Sequence, residues 1–187
     1  MMALGNFITL IQRFASGRII VMLLVPAMII YSIMIFYTIP LIEQYAAGMK
    51  LFDLSPTGYS FDYALQLLQA LGISGRDNYL YWQLPLDFLY PGLFSASCSL
   101  LLSWLLTKSV KSSSKLYYLC LVPVAAGVFD YLENICIIYM LNSYPEVIEW
   151  IVVTASTFTV LKSVLTTLFF VSLCLCGILL WFHQRKE

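Results

Sequence analysis

Val128-Phe129-Asp130-Tyr131-Leu132-Glu133-Asn134 places two carboxylates and an amide inside an apolar run that extends from Leu116 to Leu141. Such a run is long enough to cross a bilayer, which takes about 20 apolar residues. Asp130, Glu133 and Asn134 are spaced i, i+3, i+4, so on a helix they share one face. Charged groups at membrane depth are costly unless partners within the protein satisfy them. The stretch therefore predicts a membrane helix with its polar face turned into a bundle, and the remaining chain must supply the partners.

The composition agrees. Of 187 residues, 61% are hydrophobic and 11% charged, with a mean hydropathy of +0.86. A soluble domain carries roughly 25% charged residues, so the chain reads as an integral membrane protein. No linker divides it and no internal repeat is visible, which leaves an inverted-repeat transporter layout unsupported. The formal net charge of zero gives no footprint for nucleic acid. Five cysteines (Cys98, Cys120, Cys136, Cys174, Cys176) all fall in apolar spans, where they read as buried apolar residues. The loop cysteine pairs of a disulfide oxidoreductase are missing.

Working outward gives four spans. Residues 3–14 alternate apolar and polar as an amphipathic helix at the interface. Residues 19–42 form a first span, retained because the apolar run is longer than a signal-peptide core and no cleavage site follows it. Pro26 and Pro40 bend or end that span. Residues 43–78 are polar and form an ordered cap. In the cap, Ser60 is an N-cap, Phe61, Ala64, Leu65, Leu68 and Leu71 make an apolar stripe, Gly72 ends the helix, and Ser74-Gly75-Arg76-Asp77 is a second capping signature. Residues 79–106 form the second span, its outer half kinked near Pro85 and Pro91. A loop covers 107–115 and the third span 116–141. A turn and helix extension over 142–161 lead to the fourth span, 162–182. The fold class is an all-α, four-helix membrane bundle with an N-terminal amphipathic helix and a helical cap between spans one and two.

Lysine and arginine set the orientation. Arg13, Arg18, Lys108, Lys111, Lys115, Arg185 and Lys186 fall on one side; only Lys50 and Arg76 fall on the other. This asymmetry places both termini in the cytoplasm, the cap outside, and the protein in the inner (plasma) membrane. At 1.5 Å per residue, Asp130 then lies ~21 Å and Glu133 ~25 Å from the inner surface, Asp87 lies ~12 Å below the outer one, and Lys162 sits near the outer boundary. These groups share one layer in the outer half, beneath the cap that carries Arg76. Tyr59, Tyr63, Tyr79, Tyr81 and Tyr90 are within reach to hydrogen-bond.

Two readings of that layer follow. In one, the acids pair with Lys162 and Arg76 as a structural network that fixes helix order. In the other, Asp87, Asp130, Glu133, Asn134, Lys162, Arg76, Tyr59, Tyr63 and Tyr90 line a ligand pocket, since intramembrane ionisable groups mark functional sites. Asp87, Asp130, Glu133 and Asn134 offer oxygen atoms suited to a hard cation, but no diagnostic ligand spacing accompanies them, and neither a metal nor a cofactor is expected. His183 is the sole histidine and lies at the cytoplasmic end, which disfavours histidine metalloenzymes, bis-histidine haem and Ser-His-Asp triads. No Walker motif or G-x-G-x-x-G occurs. Ala125-Ala126-Gly127 reads as a close helix contact.

Gly58-Tyr59-Ser60, Ala70-Leu71-Gly72, Gly75-Arg76, Asp87-x-x-x-Pro91 and Phe129-Asp130-x-x-Glu133-Asn134 together resemble the pattern of a group of uncharacterised small four-span bacterial membrane proteins. The resemblance covers roughly residues 55–140 and implies the four-span fold without an activity. The architecture, with a long segment after span one and acids in an intramembrane pocket, is also similar to that of the sterol isomerase and sigma-2 receptor group; no residue roles carry over from an architectural likeness.

Three functions are compatible with these residues. One is binding of a membrane lipid or other amphipathic ligand in an acid-lined, outer-half pocket. Another is an isomerase or hydrolase with Asp130 and Glu133 as an acid/base pair. The third is an accessory role in a homo-oligomer or larger membrane complex. The orientation is testable directly: a cysteine replacing Lys50 should label from outside the cell, and one replacing Ser112 only after the membrane is opened. Labelling of the Lys50 position from the cytoplasm alone would invert the topology.

Overall fold

Serine caps and prolines decide where the helices begin and how they bend. In the computed structural model, residues 2–108, 110 and 114–184 are described, the side chains of 2–4, 179 and 182–184 excepted. The charges of Lys111, Arg185 and Lys186 and the side chain of His183, used above, lie outside the described residues. The helices are α1 (Met2–Phe14), α2 (Gly17–Ile33), α3 (Ile39–Glu43), α4 (Phe61–Asn78), α5 (Leu84–Thr107), α6 (Leu121–Ser143) and α7 (Glu149–Gln184). No strand occurs among the described residues. Ser16 accepts a hydrogen bond from the Ile19 amide at the start of α2, and Ser60 accepts one from the Tyr63 amide at the start of α4.

Two π-turns, Met34–Thr38 and Tyr79–Gln83, interrupt the first two spans. Each stands just before a proline, Pro40 or Pro85. A proline lacks the donor for its i−4 carbonyl and its ring crowds that carbonyl. The widened turn relieves both problems. The residue preceding each proline donates one position further back, Ile39 to the Met34 carbonyl and Leu84 to the Tyr79 carbonyl.

Among the described residues, four helical stretches are long and apolar enough to cross a membrane: Gly17–Glu43, Phe61–Thr107, Lys115–Ser143 and Glu149–Ile178. Helix α6 packs chiefly on α7, α2 on α5, and α5 on α6, whereas α2 and α7 have little direct contact. Small residues allow the close α5–α6 approach. A Cβ on Gly127 would come within 2.8 Å of Ser95 Oγ, and one on Gly92 within 2.6 Å of the Tyr131 hydroxyl. Helix α1 lies against α5 and the 3-10 turn Lys115–Cys120.

Two boundaries differ from the expected ones. The cap helix ends at Gly72 as expected, where φ is +60° and the backbone leaves the helical region, but the second span begins at about residue 73 and not at 79. From there the chain passes through the π-turn into α5 without a loop, and neither Gly nor Pro occurs from Arg76 to Leu84 to interrupt it. Residues 73–78 therefore continue the second span. The last apolar stretch is likewise one unbroken helix, α7, of 36 residues, about 54 Å long at 1.5 Å per residue. It exceeds the ~30 Å of hydrocarbon.

The cap is seated through its own apolar side chains. Leu51, Phe52, Ala64, Leu67, Leu68 and Leu71 are essentially fully buried, with Ile42, Met140 and Val152 from the helices beneath. Each large apolar side chain removed from water contributes about 1.5–3 kcal/mol. A second apolar cluster, including Ile20, Leu102, Leu106, Cys120 and Phe169, fills the opposite end of the bundle.

Gly58 fixes the seat. Its φ is +82°, and a Cβ there would stand 2.6 Å from Ser156 Oγ of α7; that same Oγ accepts from the Tyr59 amide at 2.8 Å. Gly48, at φ +80°, faces open space. Gly48→Ala should therefore cost only the left-handed backbone penalty, about 1–2 kcal/mol. Gly58→Ala should lower the melting temperature in detergent further, because the Tyr59–Ser156 contact must also open. Equal shifts for the two variants would show that the cap does not rest on α7 at this point.

Candidate functional site

Between the two apolar clusters lies a polar layer to which three spans and the cap contribute. Lys162 of α7 turns inward. Its Nζ lies 2.6 Å from Glu133 Oε2 and 3.0 Å from Asp130 Oδ1, both on α6. Glu133 is fully buried, and its Oε1 accepts from Thr159 Oγ1 at 2.6 Å. Asn134 Nδ2 donates to the Asp87 carbonyl at 3.0 Å, which ties α6 to α5. The i, i+3, i+4 spacing of Asp130, Glu133 and Asn134 thus produces one inward face, with the ammonium as counter-charge to both acids.

Asp53 joins this layer although no sequence pattern singled it out. It sits in a single 3-10 turn, Phe52–Leu54. The buried neighbours Leu51 and Phe52 pull that turn down into the bundle. The Tyr79 hydroxyl donates to Asp53 Oδ1, and Gln83 Nε2 lies 3.5 Å from Oδ2. Thr38 Oγ1 donates to Gln83 Oε1. Tyr79 and Gln83 belong to one π-turn and Thr38 to the other, so the two proline-driven irregularities meet at the cap's acid. The readable signal was an acid flanked by Leu51, Phe52 and Leu54 in an otherwise polar segment.

A cavity of about 340 Å³ opens beside this layer. Its polar lining includes Asp53, Asp87, Asp130, Lys162, Ser163 and Thr166. Its apolar lining includes Met34, Ile35, Pro91, Phe94 and Phe169. Tyr90 also lines it and is stacked between Tyr31 at 5.4 Å and Phe94 at 5.2 Å. The lining comes from both α2 and α7, which hardly touch each other. Tyr31 lines the cavity from α2 and is 43% exposed.

The carboxyls are not equally satisfied. Asp130 and Glu133 are ion-paired and Asp53 is hydrogen-bonded. Asp87 is 4% exposed, and its carboxyl makes no hydrogen bond or ion pair to a described residue. It faces the cavity.

Not every expected residue belongs to this site. Glu133 lies behind Asp130 and does not line the cavity, so Asp130 and Glu133 are not presented together to a ligand. Arg76 is elsewhere: its Nη1 donates to the Leu68 carbonyl at 2.9 Å and its guanidinium lies 4.7 Å over the Tyr144 ring. Tyr63 donates to the Lys50 carbonyl at 2.9 Å on the exposed face of the cap. Tyr59 packs on Phe52 at 5.0 Å; burial, with the charge of Glu133 adding, pushes its phenol pKa up, so it stays neutral. Among the described residues, no three His, Cys, Asp or Glu side chains converge as metal ligands would. No protein-family model, curated protein or solved structure matches the chain.

The ion pair has a measurable consequence. Lys162→Met leaves Glu133 without its cation in a site closed to water. Breaking a buried pair in this way costs about 3–5 kcal/mol, so the melting temperature should fall steeply. Glu133→Gln in the same chain should recover part of the loss. A double-mutant cycle with strictly additive effects would show that the two groups do not interact.

Proposed function

We propose that the protein binds an amphipathic membrane ligand in the acid-lined cavity, with both termini cytoplasmic and the cap on the extracytoplasmic side of the plasma membrane. The observation that carries this reading is the Asp87 carboxyl, buried, facing the cavity and without a hydrogen-bond or ion-pair partner among the described residues. Buried polar groups are almost always hydrogen-bonded, and an unsatisfied one next to an open space calls for a ligand to complete it. The volume falls within the usual range for small-molecule sites, about 300–1,000 Å³. Its mixed lining suits a ligand with a polar head and an apolar body. Entry would be lateral, from the bilayer through the gap between α2 and α7.

Electrostatics narrows the head group. Asp53, Asp87, Asp130 and Glu133 crowd around a single ammonium, that of Lys162. Like charges at short range in a low dielectric repel strongly, so the site disfavours an anionic head. A neutral hydroxyl or amide donor, or a cationic amine, would complement it. Acid/base catalysis is the second reading. It draws on Asp87 and Asp130, two of the three carboxyls that line the cavity, rather than on Asp130 and Glu133.

Ligand binding and a purely structural role make opposite predictions at one residue. Asp87→Asn removes a carboxyl that no protein group satisfies, so the melting temperature should hold or rise. Co-purifying amphiphile, counted by native mass spectrometry, should fall about tenfold, the effect of losing one hydrogen bond to a charged group. Ile35→Trp, which fills the cavity wall, should reduce it similarly. A loss of stability in Asp87→Asn with ligand content unchanged would make the cluster structural.

A further inference from the structure

Arg76 and Asp77 stand side by side at the cap-side end of the second span, and the acid-lined cavity uses neither. They line a separate cavity of about 190 Å³, together with Asn142 of α6 and Tyr144 just beyond it. No residue lines both cavities. Arg76 is half-buried and held from two sides, by the Leu68 carbonyl that accepts from Nη1 and by the Tyr144 ring under its guanidinium. Its other donors have no partner among the described residues, and no carboxylate pairs with it. Asp77 is exposed and has neither a hydrogen bond nor an ion pair to a described side chain. Successive helical residues point about 100° apart, so the two charges flank the cavity instead of closing on each other. Asn142 Nδ2 donates to the Ile138 carbonyl at 2.7 Å, which leaves Oδ1 as an acceptor without a partner among the described residues. Tyr81, one turn further into the span than Asp77, completes the lining and is largely exposed, as is the neighbouring Trp82. Tyrosine and tryptophan at the end of a span mark the head-group level of a bilayer.

We propose that this cavity holds the head group of a zwitterionic phospholipid with a primary ammonium, a phosphoethanolamine lipid of the leaflet on the cap side. Its phosphate accepts from the unpaired donors of Arg76, a charge-assisted contact. Its ammonium donates to Asp77 and to Asn142 Oδ1. Its acyl chains descend past Tyr81 and Trp82 along the lipid-facing side of the second span. Charge complementarity selects this occupant. An anionic head would satisfy the guanidinium and be repelled by Asp77. A choline head carries the same charges but offers Asp77 no N–H donor. The Tyr144 ring and the Leu68 carbonyl hold Arg76 in place before the lipid arrives, so little side-chain freedom is lost on binding.

Head-group selectivity tests the assignment. The intact protein in detergent is equilibrated with an equimolar mixture of dioleoyl phosphatidylethanolamine, phosphatidylcholine and phosphatidylglycerol, washed, and its retained lipid counted by native mass spectrometry. The ethanolamine lipid should exceed either of the others about threefold, the size of one exposed charge contact. Arg76→Gln should lower its retention about tenfold, the effect of losing a hydrogen bond to a charged group, and Arg76→Lys should lower it less. Asp77→Asn touches no protein contact, so the melting temperature should hold while the preference for ethanolamine over glycerol disappears. Asp77→Lys should reverse that preference. Equal retention of the three lipids by the unaltered protein would overturn the proposal. So would an ethanolamine preference that survives in both Asp77 variants, since the selectivity would then arise elsewhere in the bundle. Soluble glycerophosphoethanolamine at the same concentration should not displace the lipid; displacement would reassign the cavity to a soluble phosphate ester and overturn the lipid assignment.

Discussion

Lys162 must be neutralised where it lies, and the bundle is arranged to do this. An ammonium inside an apolar helix can extend to water or find carboxylates inside the protein. Here it takes two, Asp130 and Glu133, one helical turn apart on α6. This fixes the rotation of α6 against α7, since a helix turned by one residue would carry the acids about 100° away. Thr159, one turn before Lys162, binds the other oxygen of Glu133, so two positions on α7 read one position on α6. Ion pairs of this kind specify which helix faces which more than they add net stability. In hydrocarbon, where apolar side chains have no preference between lipid and protein, that specificity matters more.

The cap depends on the same layer. Asp53 descends from outside the spans and is held by Tyr79 and Gln83, and Gln83 in turn by Thr38. The first span, the second span and the cap are thereby joined by side chains that start from π-turns. π-turns are common at functional sites, where a displaced backbone re-aims a side chain. Here the prolines that force them do not line the cavity, and the re-aimed groups, Thr38, Tyr79 and Gln83, hold an acid that does, Asp53.

Residues whose neighbours are local were legible in the sequence. The face shared by Asp130, Glu133 and Asn134, the inward lysine, the break at Gly72, the cap at Ser60 and the close contact at Gly127 each follow from helical spacing or from one residue's chemistry. Asp53 was not legible, because a single 3-10 turn has no periodicity and its burial depends on long-range packing of Leu51 and Phe52. Arg76 was misplaced for a related reason. That the acids and Lys162 share one level along the bundle was readable from residue counts, but position around the bundle was not, and Arg76 finds Tyr144 and the Leu68 carbonyl before any acid. Pro40 and Pro85 announced irregular helices without showing that the two irregularities would meet.

The uneven treatment of four carboxyls in one layer is the most informative feature of the site. Glu133 has an ammonium and a hydroxyl and no access to the cavity; it is built as structure. Asp130 shares the ammonium and also faces the cavity. Asp53 is held by two donors and closes the cavity from the cap side. Asp87 faces the cavity and has no hydrogen-bond or ion-pair partner among the described residues. A sequence selected for stability alone would replace that last acid, because a buried carboxyl without a partner is destabilising and its nearest charged neighbours are mostly acids. The packing around Asp87 supports this argument. Its own backbone carbonyl is tied to Asn134, and Pro91 one turn later lines the cavity beside it. A group fixed in an unfavourable position by favourable neighbours is what a preorganised binding site requires.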